Sequence, residues 1–212
     1  MVETEGHFPG RRLMQDAVSV QKGERIAHWQ MEGAIYHVAF HLADSVPSQQ
    51  LAEWREARQY YKVLRDSRDG ELTDDEVAAM RQVYDEKIER YLSSGHGCCA
   101  LHDRTVAEEV GRILENRNGV EYALHLWTIM PNHLHVIVSP FAGHEMKKIV
   151  DGWKSIMAHV VARRSGMWAP IWQRDYYSRI IRTSDEYQRQ VNYVWHNPES
   201  AGLQAGFLRK KY

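Results

Sequence analysis

Three features of this sequence predict an α+β fold built on an antiparallel sheet. Residues 34–42, 122–139 and 177–182 alternate aromatic, β-branched and other apolar residues with the two-residue period of strands. The stretch 123–140 holds two such strands joined by a very short turn at Met130-Pro131-Asn132. Proline fixes φ there and asparagine tolerates unusual backbone angles. Residues 145–164 carry Met146, Ile149, Val150, Trp153, Ile156, Met157 and Val160 at helical spacing, the stripe of a helix laid on a core.

Taken in order, residues 1–26 are polar, include Gly10-Arg11-Arg12, and read as a loose arm. The first strand, 34–42, is broken by Asp44-Ser45-Val46-Pro47, and Ser48 is placed to cap a helix over 49–65. Asp69-Gly70 makes a turn, and Thr73-Asp74-Asp75-Glu76 has the form of a capping box opening a second helix to about residue 92. Its charged outer face marks the region of about 70–100 as a surface insertion. Asp103 caps a helix to about 116, closed by Asn118-Gly119. The hairpin, the helix 145–164, a loop over 165–170, a short strand 177–182 and a last helix capped by Ser184 complete the order. Pro198 is expected to end that helix, because the residue before a proline disfavours the α region.

Strand, helices, strand, strand, helix, strand, helix is the split β-α-β order of a ferredoxin-like sheet with inserted helices. In that topology the first and third strands lie side by side at the centre. The chain of 212 residues suits one such domain, here placed at 27–205, with a tail at 206–212.

Net charge is only −1. Its distribution is uneven: residues 61–121 hold fourteen acidic against nine basic side chains, whereas 141–212 hold twelve basic against six acidic. A phosphate-backbone binder needs such a basic region, although solvated helix faces account for it equally well. The two cysteines, Cys98 and Cys99, are adjacent, which argues against an ordinary structural disulfide. His96, Cys98, Cys99 and His102 lack the two-residue spacer of the usual zinc sites. With no apolar span of membrane length and no leader pattern, a cytoplasmic protein is expected.

Chemistry gathers on the hairpin and the last helix. On the second hairpin strand His133, His135 and Ile137 share one face and Leu134, Val136 and Val138 the other. Two imidazoles two residues apart point the same way, at a separation that lets one cation touch both. Tyr193 and Asn197, four apart in the last helix, also share a face. A phenol and an amide oxygen meeting two imidazoles would supply a nucleophile and three neutral metal ligands. Tyr187 lies roughly 240° round the same helix, on a different face, and His196 about 100° away from Asn197. Tyr176 and Tyr177 read as strand and loop aromatics.

Met130-Pro-Asn-His-Leu-His-Val-Ile-Val138 and Tyr193-Val-Trp-His-Asn-Pro-Glu-Ser-Ala-Gly-Leu203 resemble motifs of the HUH single-tyrosine transposases, and among them the REP-associated branch. The segments beginning at Gly33, Gly152 and Trp172 support the match, which spans about residues 27–205 in the family's order. Asparagine followed by proline is the pattern of that branch; a glutamine is common elsewhere. The resemblance implies a ferredoxin-like fold and metal-dependent cleavage and strand transfer of single-stranded, hairpin-forming DNA. It implies a 5′-phosphotyrosine on Tyr193 and a cation held by His133, His135 and Asn197. Nitrogen and oxygen ligands together fit Mg²⁺ or Mn²⁺, with zinc left open by ligand type. Lys154, Trp172, Arg174 and Arg182 are the candidate DNA contacts. A hairpin-DNA binding protein without strand transfer is the alternative, and an unrelated His-x-His metallohydrolase a third reading. Related enzymes occur as monomers and as homodimers that exchange tyrosine helices, so the resemblance leaves a homodimer open.

Overall fold

The computed structural model describes residues 19–22, 27–30, 33–47, 49–53, 63, 73, 87–203 and 207–212. The expected Ser48 cap, the Asp69-Gly70 turn, most of the helix over 49–65 and most of the capping box at 73–76 lie outside them, as do residues 1–18 of the arm. Within the stretch read as an arm, β1 (Ser19–Lys22) pairs antiparallel with β2 (Ala27–Gln30) in a small sheet of its own.

The main sheet contains β3 (Ile35–His41), β4 (Tyr122–Ile129), β5 (His133–Pro140), β6 (Tyr177–Ile181) and β7 (Leu208–Lys211). Its spatial order is β6-β3-β5-β4-β7, antiparallel throughout. Without β7 this is the predicted split β-α-β sheet, with β3 and β5 adjacent at the centre. The segment expected to be a tail instead adds an edge strand, Leu208 pairing with Ile129 and Lys211 with Leu126.

The helices packed on this sheet include, among the described residues, α1 (Lys87–Ser93), α2 (Arg104–Glu115), α3 (Met146–Ser165) and α4 (Ser184–Ser200), with a 3-10 turn at Ala100–His102. The pleat divides the sheet's residues between two cores. Tyr36, Val38, Phe40, Leu134, Val136 and Val138 pack with α2 and α3. Ile35, Leu126, Ile137 and Ile181 face the other way, against Val191 and Val194 of α4. The crossover helices therefore cover one face and the tyrosine helix the other.

Local chemistry accounts for most element boundaries. Asp103 Oδ1 accepts from Thr105 N and Val106 N at 2.8 and 3.2 Å, which holds the first turn of α2. On α3 the expected stripe is buried except for Val160, which is half-buried, and Ile156, which is 53% exposed, while Val161 is buried with Met157. The cap of α4 is Thr183, one residue before the expected Ser184; its Oγ1 accepts from Glu186 N at 3.1 Å. Pro198 does not stop α4 but sits inside its last turn. A proline removes the N–H that would reach the carbonyl four residues back, here Val194. Thr128 Oγ1 of β4 donates to that carbonyl instead, at 2.9 Å in the buried core.

Gly111 lets α2 approach β4 closely. A Cβ there would lie 3.0 Å from Cη2 of Trp127, so a helix-weakening glycine is traded for contact with an indole. Gly111→Val is expected to cost about 1–3 kcal/mol through overpacking; the check is urea unfolding against the parent chain.

Candidate metal and tyrosine site

The site lies on the α4 face of the sheet. In the β3–β5 register His41 is opposite His133, Ala39 opposite His135 and His37 opposite Ile137, so the alternation sends His37, His133 and His135 into one patch. His133 and His135 are each 1% exposed, with ring centroids 5.1 Å apart. The Tyr193 ring stands edge-on to His135, 5.8 Å between centroids, and 6.0 Å from His37. Tyr193 is 40% exposed, so it lines the patch from the solvent side. Asn197, one turn on, is buried and joins the same cluster.

Sequence reasoning missed the fourth member. Glu89 comes from α1, in the region read as a surface insertion, and turns inward. Its Oε1 lies 3.2 Å from His133 Nε2, 3.2 Å from His135 Nε2 and 2.8 Å from Asn197 Nδ2. Asn132, read only as a turn residue, delivers it. The Asn132 Nδ2 donates to the Leu92 and His96 carbonyls at 3.1 and 3.0 Å, tying the end of α1 to the β4–β5 turn. Its Oδ1 meets His133 Nδ1 at 2.7 Å.

The proton arrangement at His133 now decides what belongs in the cluster. The Asn132 amide donates elsewhere, so its oxygen accepts and His133 Nδ1 carries the hydrogen. Burial pushes the His133 imidazole down from its ordinary value, so near neutral pH it is neutral and has one proton. Burial would raise the Glu89 carboxyl, but His135 and His133 outweigh that and hold it well below the usual carboxylate range. The His133 Nε2 lone pair and a carboxylate oxygen thus face each other, and both are acceptors. Asn197 Oδ1, also buried, has no hydrogen-bond partner among the described residues. A cation resolves both conditions, so the donor set fits one. Glu89, His133 and His135 each offer a ligand atom, all within 4.8 Å of one another, and no other group of three or more His, Cys, Asp or Glu side chains among the described residues does so. The neutral-ligand set expected from sequence therefore gains a carboxylate.

His37, inside a motif quoted for the resemblance but assigned no role there, supports His135. Its Nε2 lies 3.0 Å from His135 Nδ1, the nitrogen turned away from Glu89. A partner on the outer nitrogen orients a ligating imidazole and sets its tautomer. The alternation that buries Ile35 and places β3 beside β5 was the signal that would have found it.

Other expected contacts fare differently. Trp172 is 6% exposed, edge-on to Phe40 in the opposite core, so it fills the interior instead of offering a face to a base. Lys154 Nζ donates to the Gln173 and Arg174 carbonyls at 2.6 and 2.8 Å, which fastens that segment to α3. Arg174 and Arg182 are exposed. Among the rival tyrosines, Tyr187 bonds His125 Nδ1 at 3.2 Å, away from the patch, as the helical angle required. Tyr176 is buried on the far side, and Tyr177 lies edge-on to His37 at 5.5 Å.

Fold and site together define a class: an antiparallel α+β sheet with a buried His-x-His pair faced by a helical tyrosine. Residues 100–197 match the family model described as "Transposase IS200 like", and over these residues the chain is similar to that family. The match takes in His133, His135, Tyr193 and Asn197, while His37 and Glu89 lie before it. A solved structure described as "Structure of the REP associates tyrosine transposase bound to a REP hairpin" aligns with a TM-score of 0.46 and 12% identity. That alignment covers 82% of this chain and 72% of the other. No curated protein matches the sequence. Among the described residues no helix is long and apolar enough to cross a membrane.

Two outcomes test this geometry. Replacing Glu89 by Gln removes a full negative charge from the candidate ligand set and is expected to weaken Mn²⁺ binding by about tenfold or more; isothermal titration reads it, and an unchanged affinity would remove Glu89 from that set. Second, burial lowers His37 to about 3 and His41 to about 4, from 6.5. Below pH 6.5 the unfolded chain takes up protons that the folded chain refuses, so stability falls as pH drops from 6.5 towards 4. Between pH 7 and 5 each imidazole is expected to remove about 2 kcal/mol, measured by denaturant unfolding at the two pH values.

Proposed function

We propose that this protein cleaves and rejoins single-stranded DNA at hairpin-forming repeats through a covalent 5′-phosphotyrosine on Tyr193. The observation that carries the reading is the contact of the Tyr193 ring with His135 at the edge of a buried cation-competent cluster, within one chain. A phosphodiester resists attack because its anionic oxygens repel a nucleophile and its alkoxide leaves poorly. A divalent ion, Mg²⁺ or Mn²⁺ on this reading, would neutralise and orient the phosphate. His133, His135 and Glu89 would hold that ion, with Asn197 as a further oxygen donor. His37 and Asn132 keep the two imidazoles aimed, and the packed sheet beneath excludes water from the side opposite the substrate.

Tyr193 carries the chemistry. Its oxygen gives up its proton and forms the bond to phosphorus, the bond to the 3′-oxygen breaks, and that oxygen takes up one proton in exchange and leaves as a 3′-hydroxyl. Phosphotyrosine conserves the energy of the broken linkage, so a second 3′-hydroxyl reverses the step and joins strands. The family match and the Asn197-Pro198 pattern support this reaction class, and the pattern supports the repeat-associated branch. The exposed Arg174 and Arg182 are the remaining proposed DNA contacts. With Tyr193 beside His135 of its own subunit, the reaction needs no exchange of helices between copies.

Incubation with a hairpin oligonucleotide and Mn²⁺ is expected to give a covalent protein–DNA adduct on a denaturing gel. Tyr193→Phe should abolish it and Tyr187→Phe should retain it. Tight hairpin binding without adduct in any metal would leave a DNA-binding protein; hydrolysis surviving Tyr193→Phe would point to a metallohydrolase.

A further inference from the structure

The tyrosine helix does not rest on the sheet by apolar contact alone. The β4–β5 and β4–β7 registers put His135, Thr128 and Arg209 in one row across three neighbouring strands. His135 turns to the cation cluster, while its two row neighbours turn to the backbone of α4. Thr128 Oγ1 donates to the Val194 carbonyl at 2.9 Å, and an Arg209 guanidinium nitrogen donates to the Trp195 carbonyl. The Arg209 guanidinium also stacks 4.2 Å over the Trp195 ring and pairs with Glu199 at 2.7 Å.

Val194 is the carbonyl that Pro198 leaves without its helical donor. It lies directly after Tyr193 and three residues before Asn197, so fixing it fixes both. Thr128 is fully buried, and its branched Cβ restricts the rotation that aims the hydroxyl. A helix resting on Val191 and Val194 alone could slide or turn slightly with little loss of contact. A directional bond at the point between phenol and amide removes that freedom.

We propose that Thr128 is a positioning residue: through the carbonyl opened by Pro198, it sets the register of Tyr193 and Asn197 over His135. This deepens the strand-cleavage reading and rests on it for its consequence in activity, but the geometric part has a readout of its own. A 1 Å displacement of a reacting group can cost about a hundredfold in rate.

The test compares Thr128→Val, Thr128→Ser, Pro198→Ala and the Thr128→Val/Pro198→Ala double variant in the full chain. Three quantities are read: melting temperature, the NMR cross-relaxation between the Tyr193 and His135 rings, and the rate of adduct formation with a hairpin oligonucleotide and Mn²⁺. Thr128→Val strands a buried carbonyl and is expected to lower the melting temperature by about 3–6 °C. The ring–ring signal should weaken with it, and the adduct rate should fall at least about tenfold. Thr128→Ser keeps the donor and should retain the ring–ring signal and the rate, with only a small drop in melting temperature for the lost buried methyl; Pro198→Ala, in which the hydroxyl still grips the carbonyl, should retain all three. In the double variant the Pro198→Ala change restores an N–H for the Val194 carbonyl, so the melting temperature should recover while the ring–ring signal and the rate stay low. Recovery of all three there would overturn the proposal, leaving Thr128 as a partner for an orphaned carbonyl and nothing more. An unchanged ring–ring signal in Thr128→Val would overturn it equally. Absence of adduct in the parent chain, with the ring–ring signals behaving as expected, would uphold the positioning role and remove the strand-cleavage reading instead.

Discussion

A neutral imidazole has one proton, and at His133 that proton is committed to Asn132. Everything at the centre of this molecule depends on that commitment. It leaves the other nitrogen as a lone pair, buried, facing the carboxylate of Glu89 at 3.2 Å. Two acceptors at that distance in a water-poor interior repel unless something positive lies with them. The cluster is therefore unfavourable as a set of side chains and favourable as a set of ligands. Asn132 creates this condition twice over, by fixing the tautomer with its oxygen and by docking α1, which carries Glu89, with its nitrogen.

The same economy of placement governs the tyrosine. Pro198 costs α4 one internal hydrogen bond, and the freed carbonyl becomes the point at which the sheet grips the helix. An edge strand formed by the last residues of the chain adds a second grip through Arg209. The row that presents His135 thus also presents the residues that hold the helix, so the imidazole and the phenol share one frame of reference. A sheet is stiff along such a row because each strand is bonded to its neighbours.

Much of this was legible from residue order. The period-two pattern of residues 34–42 and 122–139 and the turn at Pro131 placed the central strands, and the split topology put β3 beside β5. Alternation alone sent His133 and His135 to one side, and helical spacing alone separated Tyr193 from Tyr187. Glu89 was not legible: it sits in a run of charged residues, where periodicity does not distinguish an inward carboxylate from a solvated one. Trp172 misled because an indole's composition says nothing of which side of the sheet it joins. Ile156 fits a helical stripe by spacing and still faces solvent, because spacing gives the width of a stripe and only packing decides where its edge falls.

The sequence by itself determined the strand and helix types, the topology of the central sheet, and the pairing of a histidine strand with a tyrosine helix. These follow from local periodicity and from the narrow choice of ways to connect such elements. Only tertiary structure decided that Glu89 completes the cluster, that His37 and Asn132 set its tautomers, and that Thr128 takes the carbonyl Pro198 leaves open. Nearly all of those depend on contacts between residues far apart in the chain, whose directions are set by packing and not by any neighbour in sequence.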